Sequence, residues 1–403
     1  MNSVVLSTVT QPMLFVVAAL VMALSIGSTG CGSPSGPVGE QGVGELDGSD
    51  GEEDIEESSD SDGDGEWIEA PDLLGYDEDL WSEFSSPLGA LAASTLPTDD
   101  SGLIGRNREW GEMYSARFQV GVGFSLRMFL AGQGATQVEL AFRGIEVAFT
   151  TIEDGGRMPA RVPEEISQGA EPGRQDVASA ASFFLGDACH GLLTLQQRPD
   201  AQEWISAARQ EEVAMKVAQA MEWLETEVEV LREADAAAPN RLLFNARTFI
   251  ACGFLVESSD LIEVGDEFIH RALALQRPDG VFLEGGGHDT NYQAVALRLA
   301  LELLVLRESP ELLTAVDLAA GWMLSRACGD GRIDSSENTR TCGGGESFLG
   351  QQKVLTVTEV FFGFAAYSVV FDDAASQAAA AQVVQWFATS PETSCFEGPD
   401  ACL

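Results

Sequence analysis

Basic residues are scarce in this 403-residue chain, and lysine is almost absent. Twenty-two Lys and Arg stand against 64 Asp and Glu, a net charge of −42, and only Lys216 and Lys353 are lysines. No basic residue precedes Arg106, whereas 21 acids do; beyond it, 43 acids still face all 22 bases. Acidity throughout excludes nucleic acid as an expected partner. The preference for Arg suits bidentate carboxylate recognition. Histidine is limited to His190, His270 and His288, and the cysteines are widely separated. No zinc spacing, Walker loop, dinucleotide fingerprint or nucleophile elbow is present, so no metal and no cofactor are expected. Sustained strand alternation is missing too, which leaves helices as the building material.

Residues 13–27 form an apolar core of signal-peptide length, shorter than a membrane span. Ser28, Thr29 and Gly30 follow, then Cys31. The arrangement resembles a bacterial lipoprotein signal, with Ser28 where Leu is usual and no Lys or Arg in the leading segment. The resemblance implies lipidation at Cys31 and a cell-envelope location. Gly32 in place of Asp implies the outer membrane, and ordinary secretion is the rival. Residues 1–30 are thus read as the signal and 31–72 as an acidic tether too poor in apolar residues to fold. Within it, Asp60, Asp62, Asp64 and Gly65 resemble the start of a calcium loop, but Pro71 stands where the closing carboxylate is needed, which favours a solvated linker. The remainder, 73–403, is read as one folded domain.

Six cysteines besides Cys31 in an exported chain suggest disulfides. Cys395 and Cys402 flank a short Gly-Pro turn, and Cys328 and Cys342 bracket a loop, so these are the expected pairs. Cys189 and Cys252 lie in helical patterns, either paired or as buried thiols.

From residue 107 two kinds of helix alternate. Residues 108–131, 176–196, 240–256, 290–306 and 354–371 are apolar nearly all round; 136–153, 202–232, 259–275, 309–326 and 373–389 are amphipathic. A helix apolar all round must be covered on every side, and an amphipathic one covers it. Links within these pairs are short and most links between them are long. The pattern predicts an all-α fold, an α/α toroid of about five helical hairpins forming an incomplete barrel, with a further helix near 75–95. An open α-solenoid is the alternative. The long loops would share one face with the N-termini of the inner helices, which favour anions. Phe282, Tyr292 and Phe348 there are candidates for stacking on sugars, and the broad polar rim suits an oligosaccharide.

The stretch 277–293 crowds Glu284, His288, Asp289, Asn291 and Tyr292 at a glycine-rich loop-to-helix junction, with Asp289 or Thr290 as N-cap. The runs 244–256 and 276–297 resemble the helical domains of alginate-lyase and heparinase-type polysaccharide lyases. The resemblance covers about 55 residues closely. It implies β-elimination on uronic-acid polymers, with Asn245 neutralising the substrate carboxylate and Tyr292 as base and acid. Arg247 or Arg241 would assist neutralisation, and His288 is the alternative base. Arg241, Glu284, Asp289, Asn291 and Lys353 would bind substrate. Ala246 stands where the family has histidine, and no β-sandwich domain is present. Two other readings stay open: a glycosidase using paired carboxylates among Asp176, Asp279, Glu284 and Asp289, and a lipid-anchored binding or scaffold protein without turnover. His190, beside Asp187 in an inner helix, reads as a satisfied core histidine, and His270 as a surface residue.

Overall fold

The computed structural model describes residues 71–403 apart from 111–113, 133, 162–163, 165–170, 349–350, 390–394, 397–401 and 403. The signal, Cys31, the tether through residue 70 and the Asp60–Gly65 stretch lie outside the described residues. Among the described residues the architecture is all-α. The helices are α1 (Leu73–Ser94), α2 (Gly105–Trp110), α3 (Val122–Ala131), α4 (Ala135–Phe149), α5 (Arg174–Gln197), α6 (Ala201–Trp204) and α7 (Ala207–Glu225). There follow α8 (Val228–Ala234), α9 (Pro239–Leu255), α10 (Ser259–Leu273), α11 (Thr290–Leu306), α12 (Pro310–Ser325), α13 (Val357–Phe371) and α14 (Ala374–Thr389). One two-residue antiparallel pairing, Ser347–Phe348 with Gln351–Gln352, sits in the loop before α13. Among the described residues no helix is long and apolar enough to cross a membrane.

The burial pattern follows the expected alternation. Every residue of α5 from Val177 to Leu195 is buried, and α9 and α11 are buried nearly throughout. The partner helices bury one stripe: α10 buries Leu261, Ile262, Gly265, Phe268, Ile269 and Ala272 and turns its acids outward. Helix α4 packs on α3, α10 on α9, α12 on α11 and α14 on α13. The buried helices pack in the order α3 on α5, α5 on α9, α9 on α11 and α11 on α13, and α1, which buries one stripe, packs on both α3 and α13. Local signals fix the ends. Ser258, Asp289 and Ser309 accept amide hydrogens of the first turns of α10, α11 and α12, and Pro239 and Pro310 open α9 and α12 where no amide donor is needed.

Two of the expected helices are broken. Residues 108–131 divide into the end of α2, a 3-10 turn (Ala116–Gln119) and α3. The break falls at Gly121, whose φ of 102° is a left-handed conformation that glycine adopts without strain. The Asp187 carboxylate then takes over the start of α3, accepting from the amides of Gly121 (2.8 Å), Gly123 (2.7 Å) and Phe124 (3.1 Å). A Cβ on Gly123 would stand 1.9 Å from the Asp187 carbonyl oxygen, so α3 and α5 cross backbone to backbone. Residues 202–232 divide into α6, α7 and α8: Ile205 is extended between the first two, and Thr226 and Glu227 form a turn between the last two.

The cysteine pairing also differs from expectation. Cys328 bonds Cys402 and Cys342 bonds Cys395, while Cys189 and Cys252 join α5 to α9. Shortness of the intervening segment was the wrong criterion. The C-terminal segment returns along the loop between α12 and α13: the Ser335 amide donates to the Phe396 carbonyl (2.8 Å), and the Phe396 amide to Ser335 Oγ (2.9 Å). Cys395 and Cys402 therefore lie beside that loop and each meets one of its cysteines.

Candidate functional site

Glycine-rich backbone lets two loops meet over the start of α11. Asp289 holds them together. One carboxylate oxygen accepts from the Asn291 and Tyr292 amides, and the other from the amides of Arg340 (3.1 Å) and Thr341 (2.7 Å). The cap that starts α11 thus also anchors the loop before α13. That loop brings Arg340, Glu346 and Lys353 onto Tyr292. Lys353 Nζ donates to Tyr292 Oη at 2.8 Å, and Tyr292 Oη donates to Glu346 Oε2 at 3.0 Å. The Arg340 guanidinium lies 4.3 Å from the centre of the tyrosine ring. Arg340 and Lys353 both pair with Glu346 (2.9 and 2.7 Å), and Arg340 also bonds Glu284 Oε1.

The carboxyls here differ. Burial pushes Glu346 up, but Lys353 and Arg340 outweigh it and hold it below the usual carboxylate range. Glu284 is only 2 % exposed, and burial, with Asp289 adding to it, pushes its carboxyl up to about 7 against the pull of Arg340 and Arg241. Its Oε2 has no hydrogen-bond partner among the described residues.

The other sequence candidates have partners of their own. Asn245 is buried, accepting from Ser182 Oγ (2.7 Å) and donating to Asp235 (2.9 Å), and Arg241 pairs with the same Asp235 (3.1 Å). Asn291 Oδ1 accepts the Thr356 amide (2.7 Å) at the start of α13. His288 turns toward Arg326, whose Nη2 donates to it at 3.2 Å, and stacks edge-on against Trp322. Phe282 is buried in the core, so it does not offer a stacking face. The side chain of Phe348 lies outside the described residues.

Arg247 belongs to a second cluster, at the centre of the buried helices. Its Nη1 donates to Glu302 at 2.6 Å. Arg127 and Arg298 reach the same carboxylate, each at 3.3 Å. Arg127 also chelates Asp77, and Arg298 pairs with Glu359 (2.6 Å). Burial raises Glu302, but Arg247, Arg298 and Arg127 together bring it well below the usual range. His190 is buried among these groups. It lies in the core as expected, yet neither ring nitrogen has a hydrogen-bond partner among the described residues. Burial, with Arg127 adding to it, pushes the imidazole well below its ordinary value.

Sequence reasoning missed Arg340 and the central cluster. Arg340 had a signal: it precedes Gly343–Gly345, a second triple glycine like Gly285–Gly287. Arg127, Arg298 and Glu302 had one as well, since charges inside helices apolar all round must find partners. Comparison with models of known families and with curated proteins finds no match to this chain.

Proposed function

We propose that this chain is an exported, lipid-anchored α/α toroid that acts on uronic-acid polysaccharides by β-elimination at Tyr292. The cyclic packing order of α1, α3, α5, α9, α11 and α13, with α3, α9, α11 and α13 backed by α4, α10, α12 and α14, supports the toroid. The single observation that carries the activity is the setting of Tyr292 Oη, 2.8 Å from Lys353 Nζ and 3.0 Å from Glu346, under the Arg340 guanidinium. Negative charge developing on that oxygen meets the Lys353 ammonium, with the Arg340 guanidinium over the ring, and Glu346 can relay its proton. Elimination needs such a base beside a neutralised carboxylate. The resemblance of residues 244–256 and 276–297 to polysaccharide lyases points the same way. The test is a panel of acidic polysaccharides followed by absorbance of unsaturated uronic products. Tyr292→Phe should lower the rate by about 10²–10⁴-fold with affinity little changed. Equal rates for variant and wild type would remove Tyr292 from the mechanism.

A second reading, carbohydrate binding without turnover, is favoured by one observation: Arg340 and Lys353 already share the Glu346 carboxylate. In that case no product forms, and Tyr292→Ala weakens binding more than Tyr292→Phe. The glycosidase reading fits less well, because Asp289 holds the loop with both carboxylate oxygens. Anchoring through Cys31 is tested by Cys31→Ser, which should release the protein from the membrane fraction; unchanged association and processed mass would overturn it.

A further inference from the structure

Elimination requires a proton at the leaving oxygen as well as a base at carbon, and the resemblance to the lyases gives both tasks to Tyr292. Across Arg340 from Tyr292 lies a second carboxyl of different character. Glu284 gives Oε1 to Arg340, while its Oε2 is buried and meets no protein donor or acceptor among the described residues. Gly285 and Gly286 follow it with φ of 64° and 87°, are exposed, and have open space where a side chain would stand. A polymer can therefore approach the backbone closely beside this carboxyl. We infer that Glu284 is the proton donor of the site, giving its Oε2 proton to the glycosidic oxygen as that oxygen leaves. This rests on the elimination reading above.

The step balances. Tyr292 first passes its own proton through Glu346 to water; the phenolate oxygen then takes the proton from the carbon beside the uronic carboxylate, and that electron pair forms the carbon–carbon double bond. The bond from the neighbouring carbon to the glycosidic oxygen breaks, and the oxygen receives the Glu284 proton. The products are an unsaturated uronide and a free hydroxyl end. Glu284 is left as a carboxylate facing Arg340, and Tyr292 is left protonated. Proton exchange with water resets both. The charged groups facing Glu284 are Arg340, Arg241 and Asp289, and their balance with burial keeps the acid protonated up to about neutral pH.

The experiment compares wild-type full chain with Glu284→Gln on two substrates: a polyuronate, and a uronide whose leaving group is 4-nitrophenoxide, which departs without a proton. The variant should lose about 10²–10⁴-fold on the polyuronate and stay within about threefold on the aryl substrate. The fall in wild-type rate above about pH 7 on the polyuronate should vanish in the variant. Equal loss on both substrates, or loss on neither, overturns the donor role and leaves the lyase reading standing. A wild type that forms no unsaturated product from any acidic polysaccharide overturns both. Should Glu284→Gln fail to fold, carboxyl ¹³C titration of wild type decides: a Glu284 midpoint near 7 is expected, and one in the ordinary glutamate range overturns the inference.

Discussion

At the centre of the molecule Arg127, Arg247 and Arg298 converge on Glu302 from three helices; at the loop end Arg340 and Lys353 converge on Glu346 from a single loop. Residue types are the same, but the mounting differs. In the centre every member is carried by a helix whose other faces are buried, so no charge moves without disturbing the core. At the loop end the cations ride on a segment held by the Asp289 cap and by two disulfides to the C-terminal stretch. Buried ion pairs are costly to desolvate, and breaking one leaves an uncompensated charge. The central cluster is thus a fixed structural junction, while the loop cluster keeps one carboxyl oxygen uncommitted.

The sharpest way to break this comparison is Glu302→Leu. Three guanidiniums would lose their shared anion, and unfolding in urea should show a loss of about 3–5 kcal/mol. A loss below about 1 kcal/mol, the scale of an exposed pair, would mean the centre is not a junction at all. Next comes the double change Cys342→Ser with Cys395→Ser, expected to cost about 2–4 kcal/mol. Limited proteolysis should then cut between α12 and α13 first, with the helices still resistant; uniform loss of resistance would erase the distinction between the regions. Non-reducing peptide mapping should find Cys328 with Cys402 and Cys342 with Cys395.

The two regions should also answer pH with opposite sign. Glu302 is depressed in the folded state, so its contribution is present above the unfolded glutamate value and is lost as pH falls. Glu284 is raised to about 7, so the folded chain holds a proton that the unfolded chain releases. Its contribution is complete below the unfolded value and is lost as pH rises to about 7. Relative to Glu284→Gln, wild type should lose at most about 3 kcal/mol between pH 4.5 and 8. A constant difference across that window would show that Glu284 titrates normally. The smallest effect is a control outside both clusters: Ser309→Ala removes the cap of α12 and should cost about 1 kcal/mol without altering either pH response.

Periodicity made the helices legible, since full burial and one-faced burial leave different residue patterns. The Asp289 cap was legible because capping is local. The break at Gly121 was not, because the carboxylate that replaces the missing turn comes from Asp187, far along the chain. Disulfide partners were illegible for the same reason: Cys395 reaches Cys342 only once the C-terminal stretch has paired with Ser335. At the site, Tyr292, Glu284, Asp289 and Lys353 could be named from sequence. Their assembly required Arg340, which lies 56 residues from Glu284.

The contact of α13 with α1 has a consequence for how the chain acquires its shape. Asp77 in α1 meets Arg127, Arg127 meets Glu302, and Gln377 of α14 donates to Glu83 of α1 across 294 residues. Contacts of such separation carry a loop-closure cost that is offset only once they form, which slows folding. The earliest described helix to be synthesised must therefore wait for the latest. Until α13 and α14 have followed, α1 lacks the last of its packing partners.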